Sequence, residues 1–287
     1  MRSFRTALVQ MNSGRELGPN IDVTCRLVRE ARGAGAELIL TPENTTMVEP
    51  KRALILEKAA GEAEHPAIPA FRSLAAETGA WLLIGSLTIR LDEKSCANRS
   101  FLFSPAGEIV ARYDKIHMFD VDLADGESYR ESATFRPGAR AVVADLPFGR
   151  LGLSICYDLR FAYLYRALAH AGASFLSVPA AFTVPTGRAH WHVLLRARAI
   201  ETGCYVFAPA QCGEHAEGRR TYGHSLVVSP WGEILAEGGE EPGVILAEID
   251  PANVEEARRM VPALHHDRSY AKPGQGARRP RLSAAGE

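Results

Sequence analysis

Arg150-Leu-Gly-Leu-Ser-Ile155, running directly into Cys156, repeats the pattern of a segment near the start of the chain, Arg5-Thr-Ala-Leu-Val-Gln10. Two further pairs recur in the same order. Gly35-Ala36, a short apolar run and Pro42 are matched by Gly172-Ala173, a short apolar run and Pro179. Ser104-Pro-Ala-Gly-Glu-Ile109 is matched by Ser229-Pro-Trp-Gly-Glu-Ile234. The offsets run from about 125 to about 145 residues, so loops change length while the order of elements holds. Such a chain contains two similar halves.

Around the matched segments, apolar runs rich in β-branched residues alternate with amphipathic stretches. Phe4–Gln10 reads as a strand, Ile21–Ala34 as a helix with Ile21, Cys25, Val28 and Ala31 on one face, and Glu37–Leu40 as a strand. Strand, helix, strand implies a parallel, right-handed crossover. The same reading predicts strands at Trp81–Ser86, Arg99–Phe103, Glu108–Tyr113, Val142–Asp145, Leu151–Ile155, Ser174–Val178, Cys204–Ala210, Ser225–Ser229, Glu233–Ala236 and Gly243–Glu248. It predicts helices at Ala67–Thr78, Phe161–Ala171, Arg188–Thr202 and Ala252–Met260. The Ser-Pro-x-Gly-Glu segments carry the chemistry of tight turns, Pro presetting φ and Gly supplying a positive φ. Two mixed sheets with helices each leave one sheet face to be covered, and packing sheet on sheet covers both. The expected fold is therefore α/β, a four-layer α-β-β-α sandwich of two pseudo-repeated halves. Residues 1–270 are expected to form one domain. Residues 271–287, rich in Gly, Pro and Arg without apolar periodicity, read as a loose tail.

The composition suits a globular chain: 287 residues, 46% hydrophobic, 23% charged. Thirty-three basic residues nearly balance 34 acidic ones, so net charge recruits neither nucleic acid nor an anionic membrane. Met1–Gln10 lacks the charged-then-apolar pattern of a leader, and no apolar run approaches the roughly 18 residues that span a bilayer. A cytosolic protein with a small-molecule partner is expected. Five scattered cysteines (Cys25, Cys96, Cys156, Cys204, Cys212) without a Cys-x-x-Cys pair argue against a disulfide framework and against tetrahedral zinc. His190-x-His192 and His265-His266 lack a partnering Cys or carboxylate motif, so neither a metal nor a cofactor is expected.

Three residues stand where an open α/β sheet gathers functional groups, at or just beyond strand ends. Cys156 ends an apolar strand ahead of a helical pattern, a place where helix N–H groups can lower a thiol pKa and bind an oxyanion. Buried free cysteines are also commonly inert packing residues. Lys115 in Tyr113-Asp-Lys115-Ile-His117 and Glu43 in Thr41-Pro42-Glu43-Asn44 read individually as ordinary loop charges.

Taken together, Pro42-Glu43-Asn44, Tyr113-Asp-Lys115-Ile-His117, Gly152-Leu-Ser-Ile-Cys156-Tyr-Asp-Leu-Arg160-Phe161, Gly187-Arg-Ala-His190-Trp191, Arg196-Ala-Arg198-Ala-Ile-Glu201 and Tyr222-Gly-His224-Ser225 with Pro230-Trp-Gly-Glu233 resemble the nitrilase superfamily. The particular likeness is to its Nit branch of amidases, over roughly residues 4 to 270. The resemblance implies a four-layer sandwich and a catalytic triad of Glu43, Lys115 and Cys156, with Glu131 as an auxiliary acid. It also implies hydrolysis of a small carboxamide acid to carboxylate and ammonia through a cysteine thioester. In that chemistry a thiolate supported by the Lys115 cation attacks the carbonyl. Lys115 and the Tyr157 N–H hold the oxyanion. Glu43 shuttles the proton and then activates water.

The resemblance further implies that Arg160, Phe161, Phe182 and Thr183 line the substrate pocket. Arg160 either holds a substrate carboxylate or pairs structurally with Asp158 or Glu201. The helical run Arg196–Glu201 reads as an ion-pair set, because no Gly-rich phosphate loop accompanies it. Ala210-Gln-Cys-Gly213 with His215 resembles enzymes of the branch that hydrolyse deaminated glutathione. Asp120-Val-Asp122 resembles the neighbouring ω-amidases acting on 2-oxoglutaramate-type substrates. Tyr-Asp-Leu-Arg-Phe after Cys156 departs from the Trp-Glu pattern of nitrilases proper. A non-catalytic scaffold on the same fold would not be expected to retain all three triad residues. A homodimer or larger homo-oligomer is implied, through second-half helices and the C-terminal segment.

Overall fold

The computed structural model describes residues 2–123, 126 and 128–271, so nearly all of the tail expected at 271–287 lies outside the described residues. The first half runs β1 (Phe4–Gln10), α1 (Leu17–Gly33), β2 (Leu38–Leu40), α2 (Arg52–Lys58), α3 (Ala67–Thr78), β3 (Trp81–Arg90), β4 (Cys96–Phe103) and β5 (Ile109–Asp114). A small hairpin follows, β6 (Asp120–Asp122) and β7 (Ser128–Arg130). The second half runs β8 (Val142–Leu146), β9 (Gly149–Leu153), α4 (Ala162–His170), β10 (Phe175–Ser177), α5 (Val184–Thr202) and β11 (Tyr205–Ala208). A second hairpin, β12 (Cys212–Glu214) and β13 (Arg220–Tyr222), precedes β14 (Leu226–Val228), β15 (Ile234–Glu237), β16 (Gly243–Ile249) and α6 (Ala252–Met260).

Two six-stranded sheets result, in the orders β16-β1-β2-β3-β4-β5 and β15-β14-β11-β10-β9-β8. In each half three parallel strands (β1, β2, β3; β9, β10, β11) continue into two antiparallel ones (β4, β5; β14, β15). The outer antiparallel strand next to the first parallel one is β8 in the second sheet and the distant β16 in the first, where Phe4 pairs with Ile249. The chain thus ties the sheets together at both edges.

The parallel strands are buried on both faces, which is why they read as nearly continuous apolar runs. Their inward residues, among them Phe4, Leu8, Leu40, Leu151, Leu153, Phe175 and Phe207, make one core between the sheets. Phe4 stacks on Phe148 at 4.1 Å and meets Phe175 edge-on at 5.5 Å, joining the two sheets. Each such buried side chain contributes about 1.5–3 kcal/mol. The outward face of the first sheet packs under α1 and α3 through Val9, Val28, Phe71 and Leu74. Leu164, Leu168 and Leu195 of α4 and α5 cover the second. The layers are helix, sheet, sheet, helix, as expected.

The repeat extends to side chains. Arg5 donates to the Ala34 carbonyl at 2.6 Å and Arg150 to the Ala171 carbonyl at 3.3 Å, each lying over a glycine of φ 89° (Gly35, Gly172). In the two turns, the Ser104 N–H donates to Glu108 O and the Ser229 N–H to Glu233 O, both at 2.8 Å. Departures from expectation are local: α2 and the two hairpins were not predicted, and α5 starts at Val184 with a proline in its first turn instead of at Arg188. Among the described residues no helix is long and apolar enough to cross a membrane.

Candidate active site

Three strand exits converge between the sheets. Glu43 leaves β2 on a short turn in which Thr45 Oγ1 donates to the Pro42 carbonyl at 2.7 Å and the Asn44 N–H donates to Ser86 Oγ at 2.8 Å. Lys115 leaves β5, its N–H bonded to Asn98 O at 2.9 Å and its carbonyl accepting from Gly138 N at 2.7 Å. Cys156 leaves β9 and opens the 3-10 turn Cys156–Arg160 with φ 48°, its N–H bonded to Pro179 O at 2.9 Å. A positive φ on a side-chain-bearing residue costs about 1–2 kcal/mol.

A buried carboxylate locks two of these exits together. Asp158 accepts from Tyr113 Oη at 2.6 Å, from the His117 N–H at 3.0 Å and from the Ile155 N–H at 2.9 Å, with His117 Nδ1 at 2.6 Å. The strand carrying Lys115 and the turn carrying Cys156 are therefore pinned to one side chain.

At the centre, Lys115 Nζ donates to Glu43 Oε1 at 2.8 Å and to Glu131 Oε1 and Oε2 at 3.0 and 2.9 Å. Asn98 Nδ2 reaches both carboxylates, at 2.9 and 3.2 Å, and the Phe119 N–H donates to Glu131 Oε2 at 2.6 Å. The Glu43 charge also acts on the Cys156 thiol, and the two residues line the same cleft. Glu43, Lys115 and Cys156 are all buried.

The charges decide the resting protonation. Burial works against the charged form of Glu43, but the Lys115 ammonium and the contacts around it outweigh it and hold the carboxyl below its ordinary range. Burial likewise opposes the Lys115 cation, and the two carboxylates outweigh it, so Lys115 stays protonated well above its usual value. The Cys156 thiol is pushed well up, by burial first and by the Glu43 charge second, against the pull of Lys115. Two carboxylates already exceed one ammonium here, and a thiolate would add a second uncompensated negative charge. The thiol therefore keeps its proton at rest, in the same buried cluster as the Glu43 carboxylate.

The triad opens into a cleft of about 570 Å³. Glu131, Tyr157, Phe182 and Thr183 line it with Glu43, Lys115 and Cys156. Tyr157 follows Cys156 in the 3-10 turn, whose leading N–H groups have no carbonyl within the turn to bond. Arg160 and Phe161 do not line the cleft. The Arg160 guanidinium lies behind it, over the rings of Tyr157 and Phe182 and 3.3 Å from His190 Nδ1, and Phe161 stacks on His117 at 3.5 Å. Neither structural partner expected for Arg160 is available: Asp158 is taken by Tyr113, His117 and Ile155, and Glu201 by Arg198 at 2.9 Å.

Asn98 and Arg219 were missed. Asn98 is a buried polar residue in a strand that is otherwise largely apolar, a signal available in sequence. Arg219 comes from the unpredicted second hairpin region; its charge acts on Glu43, and its Nε is buried without a partner.

A buried thiol clustered with a carboxylate and an ammonium, at strand ends inside an α-β-β-α sandwich, is the site of a thiol-dependent hydrolase. Residues 5–259 match the family described as Carbon-nitrogen hydrolase, and the chain belongs to that family. It is a nitrilase-superfamily amidase of the Nit branch. The chain is 40% identical to deaminated glutathione amidase of Yersinia enterocolitica, covering 93% of this chain and 94% of that one. It is 35% identical to human omega-amidase NIT2, over 94% and 96%. The solved C. elegans NitFhit protein superposes with a TM-score of 0.87 at 36% identity, covering 93% of this chain and 65% of that one.

Proposed function

We propose that Cys156, Glu43 and Lys115 carry out the hydrolysis, on a small acid bearing an amide. The observation that carries this reading is the position of one carboxylate: Glu43 sits 2.8 Å from the Lys115 ammonium and shares the cleft lining with Cys156, on whose thiol its charge acts. As sulfur attacks the amide carbon, the thiol proton passes to Glu43 and the new charge on the carbonyl oxygen meets Lys115 and the Tyr157 N–H. Glu43 returns that proton to nitrogen as the C–N bond breaks, leaving a thioester and ammonia or an amine. Water then gives a proton to Glu43 and its oxygen to the acyl carbon, and the proton returns to sulfur as the acid departs. Glu131, bonded to Lys115 through both oxygens, positions the ammonium and takes no proton in this cycle.

The substrate reading is deaminated glutathione, the substrate class named for the Yersinia relative. Arg219 supports an acidic substrate, because a guanidinium in the cleft can pair with a carboxylate. The size of the cleft, about 570 Å³, suits a tripeptide-sized ligand better than a five-carbon amide. The second reading, ω-amidase activity, is favoured by the identity to human omega-amidase.

The five free cysteines fit a reducing cytosol. The exposed Val193 and Ile200 of α5, with Trp231, Met260 and Val261, supply an apolar face for homo-oligomerisation. Light scattering of the purified chain checks the latter.

The functional test incubates wild-type and Cys156→Ala protein with each substrate, reading the released peptide amine for deaminated glutathione and ammonia for 2-oxoglutaramate. The expected result is turnover, faster on deaminated glutathione, that falls by roughly 10⁴ or more in the variant. Undiminished turnover in Cys156→Ala would remove the cysteine mechanism, and faster turnover of 2-oxoglutaramate would select the second reading.

A further inference from the structure

Away from the cleft, His192 of α5, His224 just before β14 and Glu237 of β15 converge from three separate elements. His192 Nε2 and His224 Nδ1 each stand 2.9 Å from Glu237 Oε1, and the ligand atoms of all three lie within 4.8 Å of one another. We infer that these three side chains form a binding site for one borderline divalent transition cation, of which Zn²⁺ is the representative.

The donor chemistry fits. Two imidazole nitrogens and one carboxylate oxygen are a common ligand set for such cations, with the remaining coordination position left to water. Ligands about 2.0–2.2 Å from a metal lie roughly 3–4 Å apart, so closing this cluster takes side-chain shifts of about 1 Å or less. The supporting structure is already in place. His224 is held at φ 54°, with its N–H bonded to Gly239 O at 3.0 Å and its carbonyl accepting from Trp191 Nε1 at 2.8 Å. Tyr222 stacks on its ring at 4.3 Å. Each residue remains partly exposed, so an ion can reach the site.

The other half shows how specific this arrangement is. The β-strand registers match, Phe101 facing Arg112 in the first sheet and Leu226 facing Glu237 in the second. At the corresponding place in the first half, Arg99 and Arg112 converge on Glu62 at 2.8 and 2.7 Å. Guanidinium groups have no lone pair to give a metal, so that cluster is an ion pair and no more. The second half puts imidazoles and a carboxylate there instead. The pairing considered from sequence, His190 with His192, is not the one that forms: two residues apart on α5, they point to different faces, and His190 turns to Arg160.

The test is calorimetric titration of ZnCl₂ into the full chain, with Co²⁺ absorption as a spectroscopic companion. Wild-type protein is expected to bind one Zn²⁺ per chain with proton release, and Co²⁺ to give a spectrum without sulfur-to-metal bands. His192→Gln and Glu237→Gln are each expected to weaken binding at least tenfold, with amidase turnover unchanged, while Cys156→Ala binds as wild type does. Circular dichroism checks that the variants fold, and Glu237→Gln alone decides if His192→Gln does not. No saturable binding by wild type, binding undiminished in the variants, or loss of binding in Cys156→Ala with sulfur bands in wild type would each overturn the site and leave the trio as a hydrogen-bonded network.

Discussion

The two halves share strand order, register and the arginine laid over a glycine beyond each first helix, yet they differ at the points where strands end. Behind Pro42 stands Glu43; behind the matching Pro179 stands Ala180. Beyond β9 stands Cys156 with its positive φ; the matching position beyond β1 is Met11, whose N–H and carbonyl simply bond to Ala210 and Cys212. In the proposed mechanism the first half supplies the proton acceptor and the cation, the second the nucleophile. Neither half contains a complete site, and the chemistry is confined to the seam that the shared core creates. Duplication of the frame is tolerated because buried apolar strands need only pattern and volume, whereas the reacting groups must differ from one half to the other.

Replacing Glu43 breaks this division from the side of the first half. Glu43→Gln keeps the shape and a hydrogen bond but cannot accept the thiol proton. The expected loss in kcat/KM is roughly 10²–10⁴-fold. Because the Glu43 charge helps to hold the thiol up, the same variant should alkylate with iodoacetamide at lower pH than wild type. A pH profile of alkylation that does not move would mean the carboxylate and the sulfur are not coupled.

Much of the frame was legible in sequence because parallel strands buried on both faces leave short apolar runs, as in Ala7-Leu8-Val9 of β1 and Leu38-Ile39-Leu40 of β2, and because Ser-Pro-x-Gly-Glu encodes its turn locally. That Glu43, Lys115 and Cys156 would meet was legible through their placement at strand ends together with the family motifs. What escaped depends on contacts far apart in the chain. Asn98 matters because it bridges residues 43 and 131, and Arg219 because the β12–β13 region folds over the cleft. Arg160 and Phe161 follow the nucleophile closely, but the 3-10 turn rotates them behind Tyr157, toward His190 and His117. The hairpins are short and polar, and α2 is only seven residues, too little periodicity to register.

The helices α3 and α5 give a second contrast, of intermediate size. Before α5, Thr183 faces the cleft; before α3, His65 is buried with its Nδ1 accepting the Ala67 N–H at 3.3 Å. Burial depresses the His65 pKa to about 4. The folded state then binds fewer protons than the unfolded chain, whose imidazole titrates near 6.5. Its contribution is fully present above about pH 6.5 and is lost as pH falls toward 4, a total of about 3 kcal/mol. Urea unfolding at about pH 7 and about pH 4.5 should show this loss in wild type and a flatter dependence in His65→Asn, which keeps an acceptor near the Ala67 N–H. Equal slopes would mean that another group carries the acid sensitivity.

The twin turns offer the finest comparison, since they share sequence, hydrogen bonds and a glycine at positive φ, 78° for Gly107 and 86° for Gly232. Alanine at either position meets the same left-handed backbone cost of about 1–2 kcal/mol. Their surroundings differ. A Cβ on Gly107 would lie 2.5 Å from the backbone carbonyl oxygen of Arg72 in α3, which cannot move without shifting the helix. A Cβ on Gly232 would lie 2.6 Å from Cδ1 of Ile200, the free end of an exposed side chain that can rotate away. Gly107→Ala should therefore destabilise the protein more than Gly232→Ala, by a further 1–3 kcal/mol or about that in urea unfolding. If the two variants lose the same stability, the turns are equivalent in energy as well as in pattern, and the close approach of α3 to the first turn imposes no constraint that the second lacks.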